Sequence, residues 1–209
     1  PPTASPSPSP TPDQWTLPPT APFGDLVGEG VWQPYLTNQT GDVVALRTFL
    51  QPDAERPYAL AAIVAFDLSQ VDLRYVLGSE EPALPDGPRG QGFMNAEDKA
   101  SGRLLATFNG GFMGTHGAYG AMADGLEVLP AKAGYATVAI GENGAVHIGE
   151  WGSDLDENGG PYTAWRQNAR LITQNGAIDE RVYNGSATTW GSSIDGDVVT
   201  WRSALGIDE

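Results

Sequence analysis

The chain has 209 residues, no cysteine, two histidines and a formal charge of −15 at neutral pH. Without cysteine there is neither a disulfide framework nor a thiolate metal site, and so acidic a chain would be repelled by nucleic acid and by anionic membrane. Its longest apolar run, residues 59–66, is far too short to span a bilayer, which predicts no membrane span.

Residues 1–22 carry nine of the 17 prolines, interleaved with serine and threonine. Such a stretch lacks backbone donors and favours extended polyproline geometry, so it reads as a tail or linker that spaces a domain from a surface. Its Ser5, Ser7, Ser9, Thr3 and Thr11 suit O-glycosylation, and Asn38 and Asn184 open N-glycosylation sequons. A chain that opens at Pro1 points to a removed leader or anchor and to a secreted or cell-surface location.

From residue 23 the pattern predicts one domain running to residue 209. Strands are expected at 43–50, 58–68, 71–77 and, as a buried strand, at 104–108. Residues 137–140 and 145–148 flank Glu142-Asn143-Gly144, a hairpin signal, and 198–201 follow the turn residues Asp195-Gly196. Helical patterns are few, at 96–101 and 163–168. The expected fold is α+β, a mainly antiparallel, twisted sheet with few helices.

Three polar stretches stand out: Asn109-Gly110-Gly111-Phe112, Arg166-Gln167-Asn168 and Trp201-Arg202-Ser203-Ala204. Two glycines after an apolar run let the backbone turn sharply and bring its N–H groups close to a ligand. Arg166 and Arg202 are candidates to hold two phosphate oxygens each, although in so acidic a chain each also suits a structural ion pair. Asn109 reads either as a ligand for sugar hydroxyls or as a strand-ending turn. Asp124 reads either as a base or nucleophile or as half of an Asp-Gly hairpin turn. His116 is a candidate acid or phosphate donor, and Tyr119 and Trp151 are candidates for a sugar-stacking wall or for the core. Asp154, Asp156 and Asn158 match the front of a calcium loop, but Trp165 stands where its last carboxylate belongs, so no cofactor or metal is expected and calcium stays an open alternative to a surface turn.

In order, these stretches together with His116-Gly117, Tyr119-Gly120, Asp124-Gly125, Gly149-Glu150-Trp151-Gly152, Trp190-Gly191 and Leu205-Gly206 resemble the phosphodiester glycosidase family, in its bacterial secreted branch. The resemblance implies a hydrolase of sugar-1-phosphodiesters in phosphorylated glycans or cell-surface polymers. It implies catalytic roles for Asp124, Arg202, Asn109 and His116. Gly110, Gly111, Phe112, Tyr119, Arg166, Gln167 and Asn168 would bind substrate. Family chains continue past this point, through a helix to a segment built on a Leu-Asp pair. The sequence is therefore expected to be a front part that needs a companion C-terminal chain or neighbouring copies to cover the sheet near residues 198–201. Two other functions fit the same residues: a structural subunit of an extracellular filament or layer, and a carbohydrate-binding module that needs no carboxylate.

Overall fold

A computed structural model of the chain describes residues 14–100, 102–158, 160–190 and 201–208, with Ala187 and Thr188 given by their backbone alone. It divides into two compact units, one ending at Asp72 and one beginning at Leu73, a boundary that composition does not announce. Among the described residues no helix is long and apolar enough to cross a membrane.

The first unit is a three-stranded antiparallel sheet, β1 (Gln33–Thr37), β2 (Val43–Leu50) and β3 (Ala61–Phe66), in that spatial order. As the middle strand, β2 buries four successive residues, Val43 to Leu46, which is why its sequence reads as a continuous apolar run. The strand expected at 58–68 is shorter. Turns at Asp53–Arg56 and at Asp67, whose carboxylate accepts the Ser69 N–H at 3.0 Å, cut it at both ends. The end of the proline-rich stretch is tied down, since Thr20 N–H donates to Gly30 O at 2.9 Å. Gly30 has φ +73° and no room for a side chain, because a Cβ would run into the Thr20 carbonyl.

The second unit is built on a five-stranded antiparallel sheet. Its strands are β4 (Ala121–Ala123), β5 (Leu126–Leu129), β6 (Ala136–Gly141), β7 (Val146–Glu150) and β8 (Tyr162–Gln167), in the spatial order β5-β4-β8-β6-β7. A short hairpin, β9 (Thr173–Gln174) and β10 (Ala177–Ile178), and three short helices, α1 (Ala96–Ala100), α2 (Arg181–Asn184) and α3 (Ala187–Trp190), complete it. This is the α+β, sheet-dominated class expected. The β6–β7 hairpin forms at Asn143-Gly144, where Gly144 N–H returns to Gly141 O at 2.9 Å. Helix α1 starts where Asn95 Oδ1 accepts the Asp98 N–H at 2.7 Å, an N-cap bond that satisfies one free donor of the first turn. The core gathers Leu77, Ala121, Ala123, Val128, Leu129, Ile140 and Ala164.

Three expected elements differ. Residues 163–168 are not a helix but most of β8, because this segment inserts between β4 and β6 and forms ladders on both sides; Arg166 faces Ala121 on one side and Val138 on the other. Tyr162, Thr163 and Trp165 also favour a pleated surface over a helix. Residues 73–77 lie outside every ladder but keep the alternation of a strand, directing Leu73, Tyr75 and Leu77 to the core. The stretch 104–108 is neither a ladder strand nor buried, with Leu104 41% and Phe108 57% exposed; an apolar run alone cannot distinguish a core strand from an open segment. Of the strand expected at 198–201, residues 198–200 lie outside the described residues and Trp201 is exposed and irregular.

Candidate functional site

The glycine-rich loop that follows Asn109 meets the end of β8. Arg166, 5% exposed, directs Nη1 to the carbonyls of Tyr119 at 2.9 Å, Gly120 at 3.3 Å and Gln167 at 3.0 Å, while Nη2 donates to Phe112 O. Among the described residues its guanidinium has no carboxylate in ion-pair range. Burial therefore lowers its pKa, with the nearby Tyr75 a smaller opposing influence. A positive charge thus lies under the loop, its Nη groups bonded to backbone carbonyls, with no carboxylate paired to it among the described residues.

Asn168, two residues on, sends Nδ2 toward Gly110 O at 3.4 Å, and its buried Oδ1 has no partner among the described residues. Gly111 has φ +142°, and a Cβ there would collide with that same oxygen. Between the two, Gln167 is fully buried and fully used. Its Oε1 accepts from Gly120 N at 3.1 Å and Lys132 N at 2.7 Å, and its Nε2 donates to Lys132 O at 3.0 Å and Thr137 Oγ1 at 2.9 Å. Gln167 is a brace, and the alternating pleat of β8 places its neighbours on the opposite side.

The loop is held at two further points by ionic side chains that sequence inspection does not single out. Glu81 Oε2 accepts the Gly114 N–H at 2.6 Å, and Lys132 Nζ donates to Gly117 O at 2.9 Å. Tyr75 also borders the loop, its ring lying 3.0 Å from where a Gly110 Cβ would stand, and burial raises its phenol pKa. Only Lys132 leaves a trace in the sequence, as one of two lysines in the chain.

Of the residues chosen from sequence, Gly110, Gly111, Phe112, Tyr119, Arg166, Gln167 and Asn168 come together here. Asn109 is exposed at the loop's entry, its Oδ1 accepting the Gly111 N–H at 3.2 Å, which is a turn bond. His116 is exposed on the same loop. Tyr119 is buried between Phe112 and Tyr135, with ring centroids at 5.6 and 5.3 Å, and Trp151 is buried against Trp165 and Tyr162, so both rings serve packing. Asp124 lies elsewhere. It is the first residue of the two-residue β4–β5 turn, with φ 51° at Asp124 and 75° at Gly125, about 10 Å along the strand from Ala121 at 3.3 Å per residue. Arg202 is exposed and hydrogen-bonds only the Trp201 carbonyl, at 3.2 Å, among the described residues.

The half calcium loop is a folded turn. Asp154 Oδ2 accepts from Glu150 N at 2.8 Å and Gln174 Nε2 at 2.7 Å, and Asp156 Oδ1 accepts from Asn158 N at 2.8 Å. Among the described residues no group of three or more His, Asp or Glu is placed to hold a metal.

No family model, curated protein or solved structure matches the chain.

Proposed function

We propose that this chain acts on sugar-1-phosphodiesters, releasing free sugar from phosphorylated glycans or cell-surface polymers outside the cell. The observation that carries this reading is the buried Arg166 charge, unmatched by any described carboxylate, beneath a glycine loop whose neighbour Asn168 has a buried acceptor with no partner among the described residues. A positive field beside an acceptor that is buried under Gly111 suits a ligand that is anionic at one end and, once the loop shifts, a hydroxyl donor at the other, as a sugar phosphate is. Because the Arg166 Nη groups are engaged by carbonyls, the residue contributes charge and loop position. Lys132 and the exposed Arg202 have donors left for the phosphate itself.

The phosphate monoester is a good leaving group, with a second pKa of about 6, so the site must chiefly hold the phosphate, orient the sugar and place a carboxylate. Asp124, on its distant turn, favours a second reading, a carbohydrate-binding module without catalysis. The deciding experiment is an assay of a panel of alkyl hexose-1-phosphate diesters beside ordinary O-glycosides. Hydrolysis of the diesters alone supports the hydrolase, and binding of the diesters without turnover supports the module. If Arg202 contacts phosphate, Arg202→Lys lowers turnover about tenfold or more through loss of the bidentate fork, at unchanged melting temperature; wild-type turnover in that variant removes Arg202 from the site.

A further inference from the structure

The reaction just proposed needs a carboxylate near the glycine loop, and the structure supplies one that the sequence motifs do not contain. Glu81 belongs to a segment folded back on itself, with Gly92 N–H on Leu77 O at 2.9 Å and Gly90 N–H on Gly78 O at 3.0 Å. Neither Gly78 nor Gly114 has room for a side chain. A Cβ on Gly78 would strike the Glu81 carbonyl, and one on Gly114 would strike the Ala83 carbonyl. The backbone on both sides of the Glu81–Gly114 contact is therefore closely fitted. The half-buried carboxylate reaches the loop through Oε2, 2.6 Å from Gly114 N, two residues after the Phe112 carbonyl that Arg166 holds. Its Oε1 has no hydrogen-bond partner among the described residues.

Resting on the hydrolase reading, we propose that Glu81 is the proton-transfer carboxylate of this site. Oε2 anchors the group to the loop, and Oε1 faces the reacting water. As water attacks the anomeric carbon, the bond from that carbon to the phosphate oxygen breaks, and its electron pair leaves with the phosphate monoester. One water proton stays on the new anomeric hydroxyl, and the other passes to Glu81 Oε1 and then to solvent. A carboxylate fixed by one oxygen loses little freedom on reaching the transition state, which is what a positioned base requires.

The alternative duty of Glu81 is to tether the loop and nothing more, and Glu81→Gln separates the two. The amide oxygen still accepts the Gly114 N–H, but the side chain no longer takes up a proton. With the full chain and the hexose-1-phosphate diester panel, Glu81→Gln is expected to lower kcat by about 10²–10⁴-fold. Its melting temperature and KM should stay unchanged, the acidic limb of the pH–rate profile should disappear, and added formate should restore part of the rate. Wild-type kcat and pH profile in this variant would make Glu81 a tether only, while leaving the hydrolase reading intact. Glu81→Asp covers the case of a Gln variant that does not fold: a rate reduced with its acidic limb retained supports the role, and a wild-type kcat with lowered stability overturns it. A wild-type chain that cleaves no diester overturns the hydrolase reading and this role together.

Discussion

At the scale of single residues, the ionic side chains of the second unit show how context assigns work to chemically similar groups. Arg181 and Asp179 form a half-buried pair. Asp179 Oδ1 accepts from the Arg181 N–H and Nε–H, each at 2.8 Å, and Oδ2 accepts from Nη2 at 2.6 Å. The Arg181 side-chain bonds, with its backbone N–H next, depress the Asp179 carboxyl from 3.8 to about 2. A depressed carboxyl contributes stability that is complete above 3.8 and is lost as pH falls through about 2. NMR titration should place the Asp179 midpoint near the lower value, and Arg181→Gln should return it toward 3.8; an unchanged midpoint in that variant would remove Arg181 as the cause. Gly111 is a contrasting case in which a side chain must be absent. With φ +142° and the Asn168 oxygen where a Cβ would go, Gly111→Ala should cost roughly 1–3 kcal/mol in chemical denaturation. It should also weaken binding of a sugar phosphate by moving the loop off Arg166.

At the scale of elements, the β4–β5 hairpin and strand β8 decide where the candidate site lies. The β4–β5 turn has positive φ at both central residues, the geometry for which Asp-Gly and Asn-Gly are preferred. Asp124→Asn is therefore expected to leave both stability and turnover within about 0.5 kcal/mol of wild type. Asp124→Val should lose about 1–2 kcal/mol, because a β-branched residue is strained at φ 51°. A large loss of turnover in the stable Asn variant would restore Asp124 to the chemistry. Strand β8 carries Arg166 and Gln167 into the middle of the sheet, where ladders on both sides hold them. The loops that it organises reach it from residues far away in the chain: Phe112 and Tyr119 through Arg166, and Lys132 through Gln167. A site mounted on a central strand is positioned more firmly than one on loops alone.

At the scale of the whole molecule, the net charge of −15 opposes any phosphorylated ligand. At the glycine loop the cations Arg166 and Lys132 must act against that field. Raising salt from about 10 to 150 mM shortens the screening length from about 30 to 8 Å. Repulsion over distance is screened more than the close contacts, so KM for an anionic diester should fall about two- to fivefold over this range. A neutral sugar ligand should show no such change. A KM that instead rises steeply with salt would mean that attraction dominates and that the acidic surface lies away from the approach path. The division after Asp72 also gives the first unit its own acid-sensitive point. Glu29, 6% exposed, accepts N–H bonds from Gln51 at 2.8 Å, from Phe23 at 3.0 Å and from Gly24. The Gln51 bond is the largest influence lowering its pKa, and burial opposes it.

What the sequence by itself determined is local. Val43–Leu50 is apolar enough to be read as a strand, Asn143-Gly144 supplies the turn of a hairpin, and Asn95 caps a short helix, because each depends mainly on residues within a few positions. The motif stretches were legible too, and the glycine loop and the Arg166-Gln167-Asn168 segment do meet. Only the tertiary structure decided what each member does. Whether 163–168 coils or extends depends on β4 and β6 offering ladders on both sides, and local propensity does not encode partners some 25 to 45 residues away. The same holds for Arg166, whose donors are taken up by carbonyls, and for Asp124, which its turn sets apart from the loop. It holds most of all for Glu81 and Lys132, which no motif marks. They reach the loop because the chain folds back over long separations, and a contact of that kind exists only once the sheet has formed.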